Sequence, residues 1–179
     1  ICFLTIAAVS SAVSAQKMPA VSSSEIRIRH IARDIAAGDM ADPAWAKADA
    51  VVIKTYWSGK DAPVERQLSA RLLWSDEALY VRFEANRGEP LVVADKPDLA
   101  KKTLGLWDRD VCEIFVAPDA REPRKYYEFE IAPTGEWIDV ALDITSGTRR
   151  SDWEYRSGME SAAKIGDDKV TLAIKIPFT

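Results

Sequence analysis

Residues 66–74 and 78–86 each alternate between apolar and polar side chains, and only Ser75-Asp76-Glu77 separates them. In the first run Leu68, Ala70, Leu72 and Trp74 alternate with Ser69 and Arg71. In the second, Leu79, Val81, Phe83 and Ala85 alternate with Tyr80, Arg82 and Glu84. Successive side chains of a strand point to opposite faces, so each run presents one apolar and one polar face. A short polar connection between two such runs predicts a tight hairpin. One face of that hairpin has to be core, which requires a second layer packed against it.

The rest of the chain supplies that layer in the same period. Residues 25–35 alternate imperfectly, with Ile26, Ile28 and His30 against Arg27 and Arg29, and are expected as a strand at an edge; 51–57 are expected as another. Residues 125–132 place Tyr127, Phe129 and Ile131 opposite Tyr126, Glu128 and Glu130. After a turn with Gly135 where a positive φ is wanted, 137–143 return through Ile138, Val140 and Leu142. Residues 153–155 read as a short strand, and 161–165 with 169–176 as a third pair around Gly166-Asp167-Asp168. A short helical step at 42–45 leads into Trp45, whose bulk is expected to plug the core. Many short strands with regular turn signals and no long helical period predict an all-β fold. The expected form is an antiparallel, jelly-roll-like β-sandwich of two sheets.

At 179 residues, 47% of them hydrophobic, the chain is expected to form one domain with a core of its own. Net charge is −4 with both signs interspersed, so nothing attracts a phosphate backbone and no nucleic-acid partner is expected. Residues 1–15 form an uncharged apolar run ending Val13-Ser14-Ala15. This pattern predicts a signal peptide cleaved near Ala15 and a secreted or periplasmic protein. The run is short of the ~20 residues needed to span a bilayer, so no membrane span is expected. Residues 16–24 read as a linker and 25–179 as the domain. Cys112 is then the single cysteine of the mature chain, expected as a small buried hydrophobe.

Chemistry concentrates in residues 106–118. A polar loop bearing Trp107 runs into a strand in which Val111, Glu113 and Phe115 share one face, and Pro118 ends it. Before it, residues 87–105 carry no periodicity, a length of loop that tends to cover or shape a site. Asp108, Asp110, Glu113, Glu128 and Glu130 make a carboxylate-rich set on neighbouring segments. No nucleophile motif accompanies them, and no catalytic residue is expected. With one histidine and one mature cysteine, zinc is excluded, whereas a structural calcium is conceivable at Asp39, Asp42, Asp108 or Asp167-Asp168. A pyranose has an apolar face that stacks on an indole and hydroxyls that pair with acids. Trp107 beside Glu113 supplies the minimum sugar site if the indole is at the surface. With the indole packed inward and Glu113 bonded to backbone, the same residues are structural.

The segment Trp107-x-x-Asp110-x-x-Glu113-Ile114-Phe115, with Asp42-Pro43-Ala44-Trp45 before it and Tyr126-Tyr127-Glu128-Phe129-Glu130-Ile131 after it, resembles the family 9 carbohydrate-binding modules. The likeness extends from about residue 26 to 178 and includes 73–81. It implies an antiparallel β-sandwich, a ligand-stacking role for Trp107 and hydroxyl contacts from Glu113. Asp110 and Glu130 complete the expected ligand-binding set, and Glu130 stands where the family's arginine is expected. The resemblance also implies that further strands, and a second clamping tryptophan, follow position 179. A glucan- or xylan-type oligosaccharide is the expected partner, in the service of carbohydrate catabolism beside glycoside hydrolase domains. The competing reading is an exported sandwich with an assembly or heme-binding role, for which His30, Met18, Met40 and Met159 are the candidate soft ligands.

Overall fold

The computed structural model describes residues 25–56 and 58–178 together with the strand Cys2–Ala7. Within these residues the strands are β1 (Cys2–Ala7), β2 (Arg29–His30), β3 (Ala50–Ile53), β4 (Leu68–Trp74), β5 (Ala78–Asn86) and β6 (Cys112–Ala117). They continue as β7 (Lys125–Ile131), β8 (Trp137–Asp143), β9 (Arg150–Asp152), β10 (Glu160–Ile165) and β11 (Lys169–Pro177). They form two sheets, one in the order β1-β6-β7-β8-β9 and one in the order β10-β11-β5-β4-β2 with β3 also on β4. The chain is an all-β sandwich.

Alternation explains how the layers meet. Leu68, Ala70 and Leu72 of β4, Leu79, Val81 and Phe83 of β5, and Val170, Leu172, Ile174 and Ile176 of β11 face Cys112 and Ile114 of β6 and Phe129 and Ile131 of β7 across one buried cluster. Cys112 is buried, as its apolar neighbours predict. The β4–β5 hairpin pairs Leu68 with Ala85 through Trp74 with Leu79, and the β7–β8 and β10–β11 hairpins form where turn residues separate alternating runs.

The polar side of the first hairpin is only partly solvated. Tyr80 and Leu73 lie on the outer face of their sheet but are buried, because residues 31–48 fold over them and seat Ile31, Ile35 and Trp45 there. Trp45 enters through a 3-10 turn, Pro43–Lys47, whose start is capped by Asp42 accepting the Ala44 amide at 2.8 Å. Trp45 therefore does plug a core, a satellite one outside the sandwich.

Four expectations about the strands shift. Two edge pairings, β1 on β6 and β2 on β4, are parallel, whereas the remaining pairings are antiparallel. Residues 25–35 reduce to the two-residue β2, and the strand expected at 51–57 ends at Ile53, with residue 57 outside the described residues. The strand expected at 153–155 forms three residues earlier, as β9, because Ser151 and Asp152 pair with Leu142 and Ala141. Six residues of the run read as a signal peptide lie as β1 along β6, Cys2 opposite Cys112 through Ala7 opposite Ala117. An unpaired strand edge accepts any extended segment through main-chain hydrogen bonds, which suits an apolar run. Residues 8–15 of that run and the linker 16–24 lie outside the described residues.

Gly135 sits at φ 90° in the β7–β8 turn, and its amide donates to the Ala132 carbonyl at 2.8 Å. Left-handed backbone is strained for residues bearing a Cβ. Gly135→Ala is therefore expected to cost about 1–2 kcal/mol in urea denaturation; an unchanged midpoint would show that the turn relaxes freely.

Candidate functional site

Gly105, at φ 75°, turns the chain into a single 3-10 turn, Leu106–Asp108. That turn buries Leu106 completely against Val111, Ala132 and Ile138 on the outer face of the five-stranded sheet, and Trp107 packs against the same cluster. Backbone of the turn comes within 8 Å of β7. Trp107 is half-buried, and its ring lies 5.9 Å from that of Trp153, tilted by 33°. The indole is thus neither an open shelf nor a core plug; it is one member of an aromatic pair at the protein surface.

Beneath the turn lie the acids. Glu113 of β6 and Glu130 of β7 are direct cross-strand partners, and Glu128 is two residues along on the same face. Glu113 is 1% exposed, Glu130 0% and Glu128 8%. Glu128 and Glu130 share a side-chain hydrogen bond, which requires a proton on one of the two and favours the neutral form of Glu130. Burial, reinforced by the Glu128 charge, pushes Glu113 up to about 7. Burial with the Glu113 and Glu128 charges pushes Glu130 up to about 9. Both effects disfavour the charged form, so near neutrality Glu130 is held protonated and Glu113 about half so. Arg149 donates to Glu128 at 3.3 Å from the β9 side.

Asp110 has a different duty from the expected ligand contact. Its amide donates to the Val92 carbonyl at 2.9 Å, and its Oδ2 accepts the Val92 amide at 2.8 Å. This two-way clasp fastens residues 87–105 beside the start of β6. Glu136, also buried, gathers Thr134 at 2.9 Å, Thr103 at 3.4 Å and Arg109 at 3.4 Å, and so ties the β7–β8 turn to the segments flanking Trp107.

A buried ion pair anchors the site from the core side. Lys102 Nζ lies 2.7 Å from Asp139 Oδ1, with the two side chains 7% and 1% exposed. The ammonium also donates to the carbonyls of Asp139 at 2.6 Å, Trp153 at 3.2 Å and Tyr155. Asp139 Oδ2 accepts from the Ser157 amide and hydroxyl at 2.6 and 2.7 Å. One lysine thus joins the loop leading to Trp107 to the loop carrying Trp153.

The structure brings Trp107, Glu113 and Glu130 onto one end of one sheet face and leaves Asp110 to the loop clasp. Sequence reasoning missed Trp153, Lys102 and Asp139. Asp139 was legible as the acid in the middle of a mostly apolar strand, but its partner lies 37 residues away in sequence. The acids considered for calcium are separately engaged or apart: Asp42 caps the 3-10 turn and pairs with Arg33. Among the described residues no three His, Cys, Asp or Glu converge on a point that could hold a metal. For the heme alternative, His30 stands edge-on to Trp74 at 4.5 Å and 3.1 Å from Asp76, Met159 packs against the central core, and Met18 lies outside the described residues.

The protein is thus a two-sheet sandwich whose outer face carries an aromatic turn above buried acids. The model of the carbohydrate family 9 binding domain-like proteins matches residues 37–179, and the chain belongs to that family. A protein of Bacteroides uniformis provisionally described as carbohydrate-binding has a similar structure, with TM-score 0.61 and 14% identity over 84% of this chain and 71% of that one. A family 9 carbohydrate-binding module of Caldicellulosiruptor kristjanssonii in complex with cellotriose is similar at TM-score 0.54 and 16% identity, over 85% of this chain and 66% of that one. Its complex with glucose gives 0.53 and 17%, over 84% and 69%. No protein with a curated description matches the chain. Among the described residues, no helix is long and apolar enough to cross a membrane.

Proposed function

We propose that this protein is an exported, non-catalytic carbohydrate-binding module that takes glucan- or xylan-type oligosaccharides or chain ends at the Trp107 turn. The observation that carries this reading is the position of that turn over the end of β7, where Glu113 and Glu130 sit buried side by side. Family membership supports it, as do similar structures described with cellotriose and glucose bound. Indole supplies the stacking surface, and the acids and Arg149 supply polar contacts. Export rests on the apolar run ending Val13-Ser14-Ala15. Cleavage near Ala15 would take β1 away with the run and free the edge of β6 beside Glu113. A role beside glycoside hydrolase domains in carbohydrate catabolism follows from the same reading.

Isothermal titration of the protein with glucose, cellobiose and xylobiose tests it. Saturable heat is expected, with affinity about thirtyfold weaker in Trp107→Ala, the size of effect lost when a central aromatic anchor is truncated. A folded protein that gives no heat with any sugar would sink the reading.

A further inference from the structure

Trp153 decides how a sugar can lie at the Trp107 turn. Its ring is 5.9 Å from that of Trp107 and tilted by 33°, the spacing of an aromatic pair in direct contact. Carbon surfaces touch at about 3.5–4.0 Å, so a sugar ring held between two indoles needs them about 7–8 Å apart. No ring fits between these two. Both still reach solvent, since Trp107 is half-buried and Trp153 is 37% exposed.

The pair is also held in place. The Trp153 carbonyl accepts from Lys102 Nζ and from Arg156 Nη1, both at 3.2 Å. Asp152 Oδ1 accepts the next two amides, those of Glu154 at 2.9 Å and Tyr155 at 3.2 Å. The Tyr155 ring stacks on Tyr127 of β7 at 4.9 Å, and Lys102 is paired with buried Asp139 of β8. Residue 153 is thus tied to both strands. On the other side, fully buried Leu106 anchors the turn that carries Trp107. Swinging Trp153 aside to admit a sugar ring would break several of these bonds together, each at a cost.

We infer, resting on the sugar-binding reading above, that Trp107 and Trp153 form one stacking platform laid across consecutive units of a sugar chain, so that the site takes an internal stretch of chain and not a chain end. A clamp closes over one terminal ring, whereas a platform leaves its ligand free to run on in both directions. Each indole covers the apolar face of one unit. Trp153 is then the residue that sets the length of chain recognised. A surface already fixed by its own contacts binds with little ordering cost.

The test is isothermal titration of the protein with glucose, cellobiose, cellotetraose and their xylose counterparts, and with hydroxyethyl cellulose and soluble xylan of known chain length. In the series that binds, affinity is expected to rise about tenfold from monosaccharide to tetrasaccharide. Several protein molecules should bind each polymer chain. Trp153→Ala should weaken the tetrasaccharide about tenfold and the monosaccharide less than about twofold. Trp153→Leu keeps apolar bulk against Trp107 and gives the same test should the alanine variant unfold. One protein molecule per polymer chain, a monosaccharide that binds as tightly as the tetrasaccharide, or a Trp153 variant that treats the two sugars alike would overturn this inference and leave the sugar-binding reading standing. If no sugar binds to the folded protein, both fall.

Discussion

Between about pH 6 and about pH 9.5 the unfolding free energy of this protein is expected to fall by on the order of 3 kcal/mol or more, a loss that Glu113→Gln combined with Glu130→Gln should largely remove. In the unfolded chain both carboxyls lose their protons near the ordinary glutamate value of ~4.3. In the folded chain burial and neighbouring acids raise Glu113 to about 7 and Glu130 to about 9. The folded state therefore holds more protons than the unfolded state throughout the window from above 4.5 to about 9. Stability linked to a raised carboxyl is fully present below the unfolded pKa and is lost as pH rises through the folded one. Each pH unit over which one extra proton is held changes stability by about 1.4 kcal/mol. Urea denaturation across the pH range reads the slope directly. A wild-type midpoint that stays level from neutral to alkaline pH, or a double variant that falls in parallel with it, would show that the pair is ionised or solvated in the folded protein.

Lys102→Met is expected to destabilise the protein by about 3–5 kcal/mol, because it strands a carboxylate in the interior. Asp139 is 1% exposed on its side chain, and Lys102 is the cation beside it at 2.7 Å. Asp139→Leu would not be a clean rescue, since the Ser157 amide and hydroxyl both donate to the Asp139 carboxylate. Asp139→Asn keeps an acceptor for Ser157 and removes the charge, so combining it with Lys102→Met is expected to recover much of the loss. The aromatic pair gives a second readout. Lys102 holds the Trp153 and Tyr155 carbonyls, so its loss should change the near-ultraviolet circular dichroism of the Trp107–Trp153 pair even where the fold survives. A loss under about 1 kcal/mol would mean that water reaches the Asp139 carboxylate.

Legibility in the sequence followed the range of the interactions. The 66–86 hairpin and the core faces of β6 and β7 were readable because alternation of apolar side chains is a local signal. The same signal misled where a sheet is buried on both faces. Tyr80 reads as the solvent side of β5 and is 1% exposed, because residues 31–48 cover it. Ile138, Val140 and Leu142 mark a strand by their alternation, which does not say which face they take. Their cross-strand partners Glu130, Glu128 and Tyr126 place them on the outer face, and Asp139 turns inward opposite Phe129. At the site, Trp107, Glu113 and Glu130 were found by residue type and spacing. The duty of Asp110 depends on the Val92 backbone 18 residues away, and nothing in a one-dimensional pattern marks it.

By itself the sequence determined the class of fold and the segments that carry the chemistry, because period-two alternation and turn residues act between near neighbours. Tertiary structure decided the parallel docking of β1 and β2, the pairing of Trp107 with Trp153, and the enclosure of two acids that face each other across adjacent strands. These depend on which distant backbones and charges share a small volume. Burial and Coulomb interaction in that volume are properties of spatial proximity, which sequence spacing does not carry.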